Sequence, residues 1–392
     1  MLPETEIPEH AANLAFRRYL TPFAPDQSGA VGVLFELGGI QVICDAGGCV
    51  GNICGFDEPR WFRQKSAIFS AGLRDMDAIL GRDDQLVGKL TTAVNEIQPA
   101  FASVIGTPVP AVIATDYHAL RRMAEKKTKL PVLTVETNGM DLYDEGEKKA
   151  YLELFSVFAE EVQQVSEVQK PSAVPQQSEV SEGAGEKGNQ MVEEDRIGVL
   201  GVTPLNYSDL SAGKKIQAVL KKQGWNTVDT YGMDCGLERV KTAGKARKNL
   251  VAAPSGVAAA RYLEKRFGTP YEIWDPLAEE ILEGLLRQLP QGENCQGKNI
   301  LIVSQQVSAV TMRKLLLEKG AGQVCVATWF MKLPEISREG DLRLTGEKQF
   351  TEAVYQGDYD WIMADPELKN LVQQYTGSWL DLPHFAVSGK MH

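Results

Sequence analysis

The sequence predicts an α/β protein built on parallel sheets, and three observations carry that expectation. Short apolar runs of strand length alternate with segments of helical period along most of the chain. Strands that alternate with helices of this length re-enter the sheet by crossovers, which makes the sheet parallel and covers both of its faces. At 392 residues the chain exceeds what one hydrophobic core organises, so two or three such units are expected.

Taken in order, the first portion offers strands at Ile40–Cys44, Asp77–Leu80, Ala102–Ile105 and Val132–Val135, with helical patterns around Leu86–Ile97 and His118–Lys126. No aromatic residue occurs between Ala159 and Asn206. Within that gap, Val162–Asp195 is rich in Gln, Ser, Glu, Gly and Pro and cannot bury enough surface to offset its ordering entropy. It reads as a flexible tether or surface insertion, with a docking segment as the alternative. Strands then follow at Ile197–Val202, Thr227–Tyr231, Leu250–Ala252 and Tyr271–Trp274, interleaved with helices through Ile216–Leu220, Ala258–Phe267 and Leu277–Leu289. Gly224 stops the first of these helices. The last portion repeats the rule with strands at Ile300–Ser304, Val324–Thr328 and Trp361–Ala364, and helices at Val310–Lys319 and near Leu368–Tyr375. The boundaries expected are an N-terminal α/β unit over 1–160, an acidic linker or insertion over 161–195, and further units over 196–290 and 291–392.

Composition excludes some functions. Lys and Arg number 41 against 52 Asp and Glu, a formal charge of −11, so a general phosphate-binding surface and nucleic acid are not expected. Residues 1–16 hold Glu4, Glu6 and Glu9 and no apolar core of a secretory signal. No run approaches the roughly 20 apolar residues that span a bilayer. A cytoplasmic protein without membrane contact is expected.

The six cysteines are unevenly placed. Cys44, Cys49 and Cys54 crowd one loop, whereas Cys235, Cys295 and Cys325 are scattered and are assigned no chemistry. In a reducing compartment clustered cysteines read as metal ligands or redox groups before disulfides. An iron–sulfur cluster needs thiolates that converge on a small core, and a loop manages this only if its backbone turns sharply. Gly47, Gly48 and Gly51, with Gly55, supply that freedom and would bring backbone N–H groups to a cofactor. The loop starts where the Ile40–Cys44 strand ends, the edge at which open α/β sheets bind ligands. The Cys-x4-Cys-x4-Cys spacing matches neither common zinc pairs nor the ferredoxin run. Buried packing cysteines and a nucleophilic thiol therefore stay open as readings.

Further segments add a resemblance. Ser28-Gly29-Ala30, Gly39-Ile40 and Gly48-Cys49, then Ala71-Gly72-Leu73-Arg74-Asp75-Met76-Asp77-Ala78-Ile79-Leu80-Gly81, are similar to the first domain of nitrogenase component 1 type oxidoreductases and nitrogenase-like reductases. Thr107-Pro108-Val109-Pro110 with Ala114-Thr115-Asp116 resembles that family's next loop. Lys245–Val251 and Tyr262–Tyr271 resemble its second-domain signature, and Leu382-Pro383-His384 is a shorter C-terminal match. The resemblance implies three Rossmann-like domains around a central cleft. It also implies a homodimer or paralogous heterodimer, and an iron–sulfur cluster, 4Fe-4S by type, that takes low-potential electrons from a separate ATP-dependent iron protein. The chain has no Walker-type phosphate loop, which suits the electron-accepting partner.

Against that pattern, two of the family's cluster cysteines fall at Thr21 and Thr107, poor ligands for iron, so Cys44 and Cys54 would have to complete the site around Cys49. The cysteine that anchors the nitrogenase metallocofactor would fall near Ala252-Ala253-Pro254, where there is none, so the comparison shifts toward tetrapyrrole reductases, whose cleft binds an organic substrate. Asp45 is the candidate proton donor or oxygen ligand beside the cluster, or a turn former. His384 is the candidate catalytic histidine, with a purely structural histidine as the alternative. Arg17 and Arg18 could meet an anionic substrate or solvent. The reading is an iron–sulfur electron-accepting reductase subunit. A cluster scaffold without turnover and a metal-free binding protein on the same fold are the alternatives.

Overall fold

The computed structural model describes residues 17–74, 76–77, 81, 83–160 and 193–391. Within them the chain forms three wholly parallel sheets. The first has the order β2-β1-β3-β4, from β1 (Ile40–Ile43), β2 (Ala67–Ser70), β3 (Ala102–Ile105) and β4 (Val132–Val135). The second has the order β6-β5-β7-β8, from β5 (Glu193–Leu200), β6 (Thr227–Thr230), β7 (Ala246–Val251) and β8 (Tyr271–Ile273). The third has the order β11-β10-β9-β12-β13, from β9 (Asn299–Val303), β10 (Gln323–Thr328), β11 (Leu342–Arg343), β12 (Trp361–Ala364) and β13 (Ser378–Asp381). These are three Rossmann-like units, the fold class the sequence predicts. In each, the first strand sits inside the sheet and the chain winds to either side of it, which opens a crevice at the carboxyl ends of the strands.

Local signals explain most elements. Leu86, Val87, Leu90 and Val94 line the buried face of the helix Asp83–Ile97. The helix Val257–Phe267 stops at Gly268, whose φ of 76° is left-handed and free of cost for glycine. Among the described residues no helix is long and apolar enough to cross a membrane.

Some expectations need correction. The strand beside β1 is Ala67–Ser70, not Asp77–Leu80: Asp77 is helical, and 78–80 lie outside the described residues. β2 is an edge strand with Phe69 exposed, so its sequence lacks the long apolar run of an interior strand. The helix placed near Leu368–Tyr375 is a 3-10 turn, Pro366–Leu371, opened by the Asp365 carboxylate accepting from Glu367 N–H. The linker expected over 161–195 lies outside the described residues up to 192, and β5 has already begun at Glu193.

Two helices centre the molecule. All nine residues of Asp26–Leu34 are buried, and Tyr143–Phe158 is enclosed over most of its surface. They cross backbone to backbone. A Cβ on Gly29 would lie 1.8 Å from the Tyr143 carbonyl oxygen, and one on Gly146 would lie 1.7 Å from that of Asp26. Gly146→Ala is expected to push the two helices apart at a cost of about 2–3 kcal/mol, read as a fall in the urea midpoint. An unchanged midpoint would show that the crossing has slack.

Candidate functional site

The pleat of β1 decides where the cysteines go. Successive residues of a strand face opposite sides. Ile40, Val42 and Cys44 therefore share the outer core with Leu86, Leu90, Val104 and Leu120, whereas Ile43 faces the inner core with Ala30 and Val31. Beyond β1 the chain turns at Gly47, whose φ is 121°, into the short helix Gly48–Asn52 and a π-turn, Ile53–Asp57. This brings Cys49 and Cys54 against the inner core. The structure brings Cys49 and Cys54 to one side of the sheet and sets Cys44 on the other.

Asp45 holds the turn. It is 1% exposed, accepts from the Ser70 hydroxyl at 2.5 Å and from Val50 N–H at 3.2 Å, and its carbonyl accepts from Leu73 N–H at 2.9 Å. Gly47, Gly48 and Gly51 are exposed, with open space where a side chain would start. Only Gly47 is required by its own backbone angle. Thr107, at an expected cysteine position, is buried and donates its hydroxyl to the Cys44 carbonyl at 2.8 Å, and Thr21 accepts through its carbonyl from Arg17 at 2.9 Å.

The electrostatics do not favour thiolates. Burial pushes the Cys44 thiol up to about 12, with Asp83 and Asp45 adding to it. Burial and Asp45 raise Cys49, and burial and Glu58 raise Cys54. Among the described residues no three His, Cys, Asp or Glu side chains form a group that could hold a metal ion. The three loop thiols do not fit a single-chain cluster. Native-state alkylation is expected to modify Cys49 and Cys54 well before Cys44 and to accelerate with pH, as read by peptide mass mapping. Cys44 reacting first would contradict this placement.

Downstream of the loop, Arg60 is 5% exposed and has its guanidinium enclosed by acceptors. It donates to both Glu58 oxygens at 2.8 and 2.7 Å, to Glu36 at 3.0 Å, to Gly32 O at 2.6 Å and to Gly232 O at 2.7 Å, and lies 4.7 Å over the Phe35 ring. Gly232 follows β6, so this clamp ties the cysteine segment to the second unit.

The loops at the carboxyl ends of the three sheets meet at a second place. Glu147, fully buried on the helix Tyr143–Phe158, accepts from the Thr203 hydroxyl at 2.5 Å, the Ser255 hydroxyl at 2.7 Å and the Asn206 amide at 2.9 Å. Thr203 and Asn206 follow β5, and Ser255 follows β7. Tyr143 donates its hydroxyl to Asn206 Oδ1 at 2.9 Å and lies 3.3 Å from His384 Nε2. His384 follows β13, is 3% exposed, and stacks on Phe330 at 4.6 Å. Its backbone N–H donates to Asp365 at 2.8 Å. Tyr143, Phe330 and His384 fill the centre that the three units surround. Arg17 stands over Phe23 at 3.9 Å, and the backbone N–H of Arg18 donates to Glu347 at 3.0 Å, so both arginines take part in docking residues 17–23 on the third unit.

Burial raises two carboxylic acids on this helix, Glu147 to about 7 and Asp144 to about 6. Asp144 accepts from Met331 N–H at 2.5 Å and so fastens the helix to the third unit. The sequence reading missed both acids. The available signal was position: Glu147 lies on the stripe of Tyr143, Ala150, Tyr151 and Leu154, where a carboxylate needs a reason.

Residues 28–279, more than half of the chain, match the family described as nitrogenase component 1 type oxidoreductase. One of the subunits of light-independent protochlorophyllide reductase from Synechococcus sp. (strain JA-3-3Ab) is 20% identical over 219 residues, 55% of this chain and 40% of that protein. The match thus spans less than half of that curated relative. Among solved structures, nitrogenase Cp1 at pH 6.5 superposes with a TM-score of 0.65 at 12% identity, covering 94% of this chain and 87% of that one. Nitrogenase Cp1 at pH 5 superposes with a TM-score of 0.66 at 15% identity, covering 96% and 86%. The structural likeness establishes the fold, the family match goes further, and the chain belongs to the nitrogenase component 1 type oxidoreductase family.

Proposed function

We propose that the chain is the electron-accepting subunit of a nitrogenase-like reductase, covered in its assembly along the carboxyl edge of the first sheet. One observation carries the reading. The loops that leave that edge expose Phe56, Met76, Val112 and Met140, whereas beyond residue 160 Tyr355 alone among the described residues is an exposed large hydrophobic. An apolar edge of this kind, beside two half-buried thiols, marks a surface meant to be covered. The relative named above is by its name one subunit of a reductase, which supports a multi-chain assembly. The electron donor would be a separate ATP-dependent iron-protein-like reductase.

Cys49 and Cys54 would be this chain's contribution to an iron–sulfur cluster, 4Fe-4S by type, with the other ligands from a second chain across a two-fold axis. The cluster would supply one-electron transfer. The chain's own residues position the two thiols through Asp45 and Arg60 and shield them with Ile53 and the inner core. His384 and Asp45 are proposed as positioning groups, since both are buried in hydrogen bonds or ring contacts. The absence of a three-ligand group among the described residues favours a second reading, a metal-free binding subunit on the same fold.

Anaerobic reconstitution with iron and sulfide separates them. The first reading expects a dimer holding about two iron per chain, lost in Cys49→Ala with Cys54→Ala. It also expects Phe56→Ser with Val112→Ser to yield monomer on size-exclusion chromatography with light scattering. Dimer formation without iron, unchanged by removal of the thiols, supports the second reading and overturns the first.

A further inference from the structure

Away from the thiols and the central junction, the second and third units leave a groove between them of about 570 Å³. It opens where β8 ends. One wall is Ile273 and Trp274 with Val219. The other is the outward face of the helix Gln306–Glu318, where Val310 and Leu315 present half-buried side chains. These walls are the backs of packed cores, with Val219 and Trp274 against one and Val310 and Leu315 against another. The two are fastened to each other. Asp275 N–H donates to the Thr311 hydroxyl at 3.1 Å, and the Tyr207 hydroxyl donates to the Asp275 carboxylate at 2.8 Å. The groove is built and does not depend on a loop closing over it.

We infer that this groove binds a small, flat, largely apolar organic molecule that carries a single anionic group. The volume lies inside the range of roughly 300–1,000 Å³ usual for small-molecule sites. An indole beside four aliphatic side chains offers a ring system a face on which to stack and loses water when covered. Charge on the rim sets the rest. Lys314 and Arg338 border the groove and form no ion pair among the described residues, so their charges are available to a ligand. Glu272 is taken by Lys248, while Glu279 and Glu318 stand on the same rim. Those acids tolerate one anionic group held between Lys314 and Arg338 but repel a chain of phosphates, which argues against a nucleotide. The inference is independent of the cluster reading, since none of these residues belongs to the cysteine loop or the central junction.

The test titrates the full-length protein with 1-anilinonaphthalene-8-sulfonate, a flat apolar anion, and with neutral N-phenyl-1-naphthylamine. Saturation at one equivalent is expected, with affinity for the sulfonate about tenfold weaker in Lys314→Glu with Arg338→Glu and affinity for the neutral probe little changed. Both substituted side chains are exposed, so the fold is expected to stand. Phe62→Ser should leave binding intact, and tripolyphosphate should not displace the probe. Unsaturable binding, binding unmoved by the double charge reversal, loss in Phe62→Ser instead, or displacement by tripolyphosphate would each overturn the proposal.

Discussion

Stability is expected to fall as pH rises from 4.5 to about 7, because the folded protein holds the Glu147 proton that the unfolded chain releases near 4.5. The folded value lies above the unfolded one, so the folded state binds more protons within that window. The contribution is complete below the window, declines across it and is flat above. A rise of this size corresponds to roughly 3 kcal/mol between the two limits. Asp144, raised from 3.8 to about 6, acts with the same sign over a slightly more acidic range. Three donors hold the Glu147 carboxylate, yet burial outweighs them, which is why the shift is upward. Glu147→Gln keeps the shape and cannot ionise, so its urea midpoint should vary less between pH 5 and 8 and should match or exceed wild type at pH 8. Glu147→Ala leaves Thr203, Ser255 and Asn206 without their acceptor and should cost about 3–5 kcal/mol at pH 5 and less at pH 8, where the wild-type acid contributes least. If the glutamine variant keeps the wild-type pH profile, Glu147 is not the titrating group.

Arg60→Ala is the second large effect, with an expected loss of about 3–5 kcal/mol. The argument rests on what is left behind. Glu58 is 3% exposed and would keep a buried charge without its bidentate partner, and the Gly32 and Gly232 carbonyls would lose a donor each. Arg60→Lys can serve only part of this fork and should fall between. The clamp also sets the cysteine segment against the second unit, so alkylation of Cys54 should quicken in Arg60→Ala while Cys44 stays protected. A variant with unchanged Cys54 reactivity would mean that the segment is held by the inner core alone.

Much of the fold was legible because interior parallel strands are apolar in sequence, and Ile40–Ile43, Ala102–Ile105, Asn299–Val303 and Trp361–Ala364 are of that kind. Some edge strands were not. Ala67–Ser70 and Leu342–Arg343 are short and partly exposed, and their pairing depends on a neighbour distant in sequence. The helix Asp26–Leu34 escaped for the opposite reason, since complete enclosure removes the polar face that marks an amphipathic period. Spacing alone could place Cys44, Cys49 and Cys54 on one loop. It could not reveal that the pleat of β1 assigns Cys44 to a different core from the other two. The Glu147 network joins residues up to 108 positions apart, and no local pattern announces such a convergence.

The closure between the two ends of the described chain bears on the order of assembly. Ala24 N–H donates to the Ala386 carbonyl at 2.9 Å, Phe385 N–H to the Ser208 hydroxyl at 2.7 Å, and His384 seats on Phe330 beside Tyr143. Residues 384–388 thus finish a centre begun near residue 23. A ribosome delivers them after the other residues of this centre, so the first unit emerges with Tyr143 uncovered and waits for the third before that centre is closed. The loop-closure entropy of contacts this remote makes that step slow relative to strand pairing within each sheet. Nascent chains stalled before residue 384 should therefore expose Tyr143 and Phe330 to a chaperone, and release of the turn Phe385–Ser388 should act as the latch that ends the exposure.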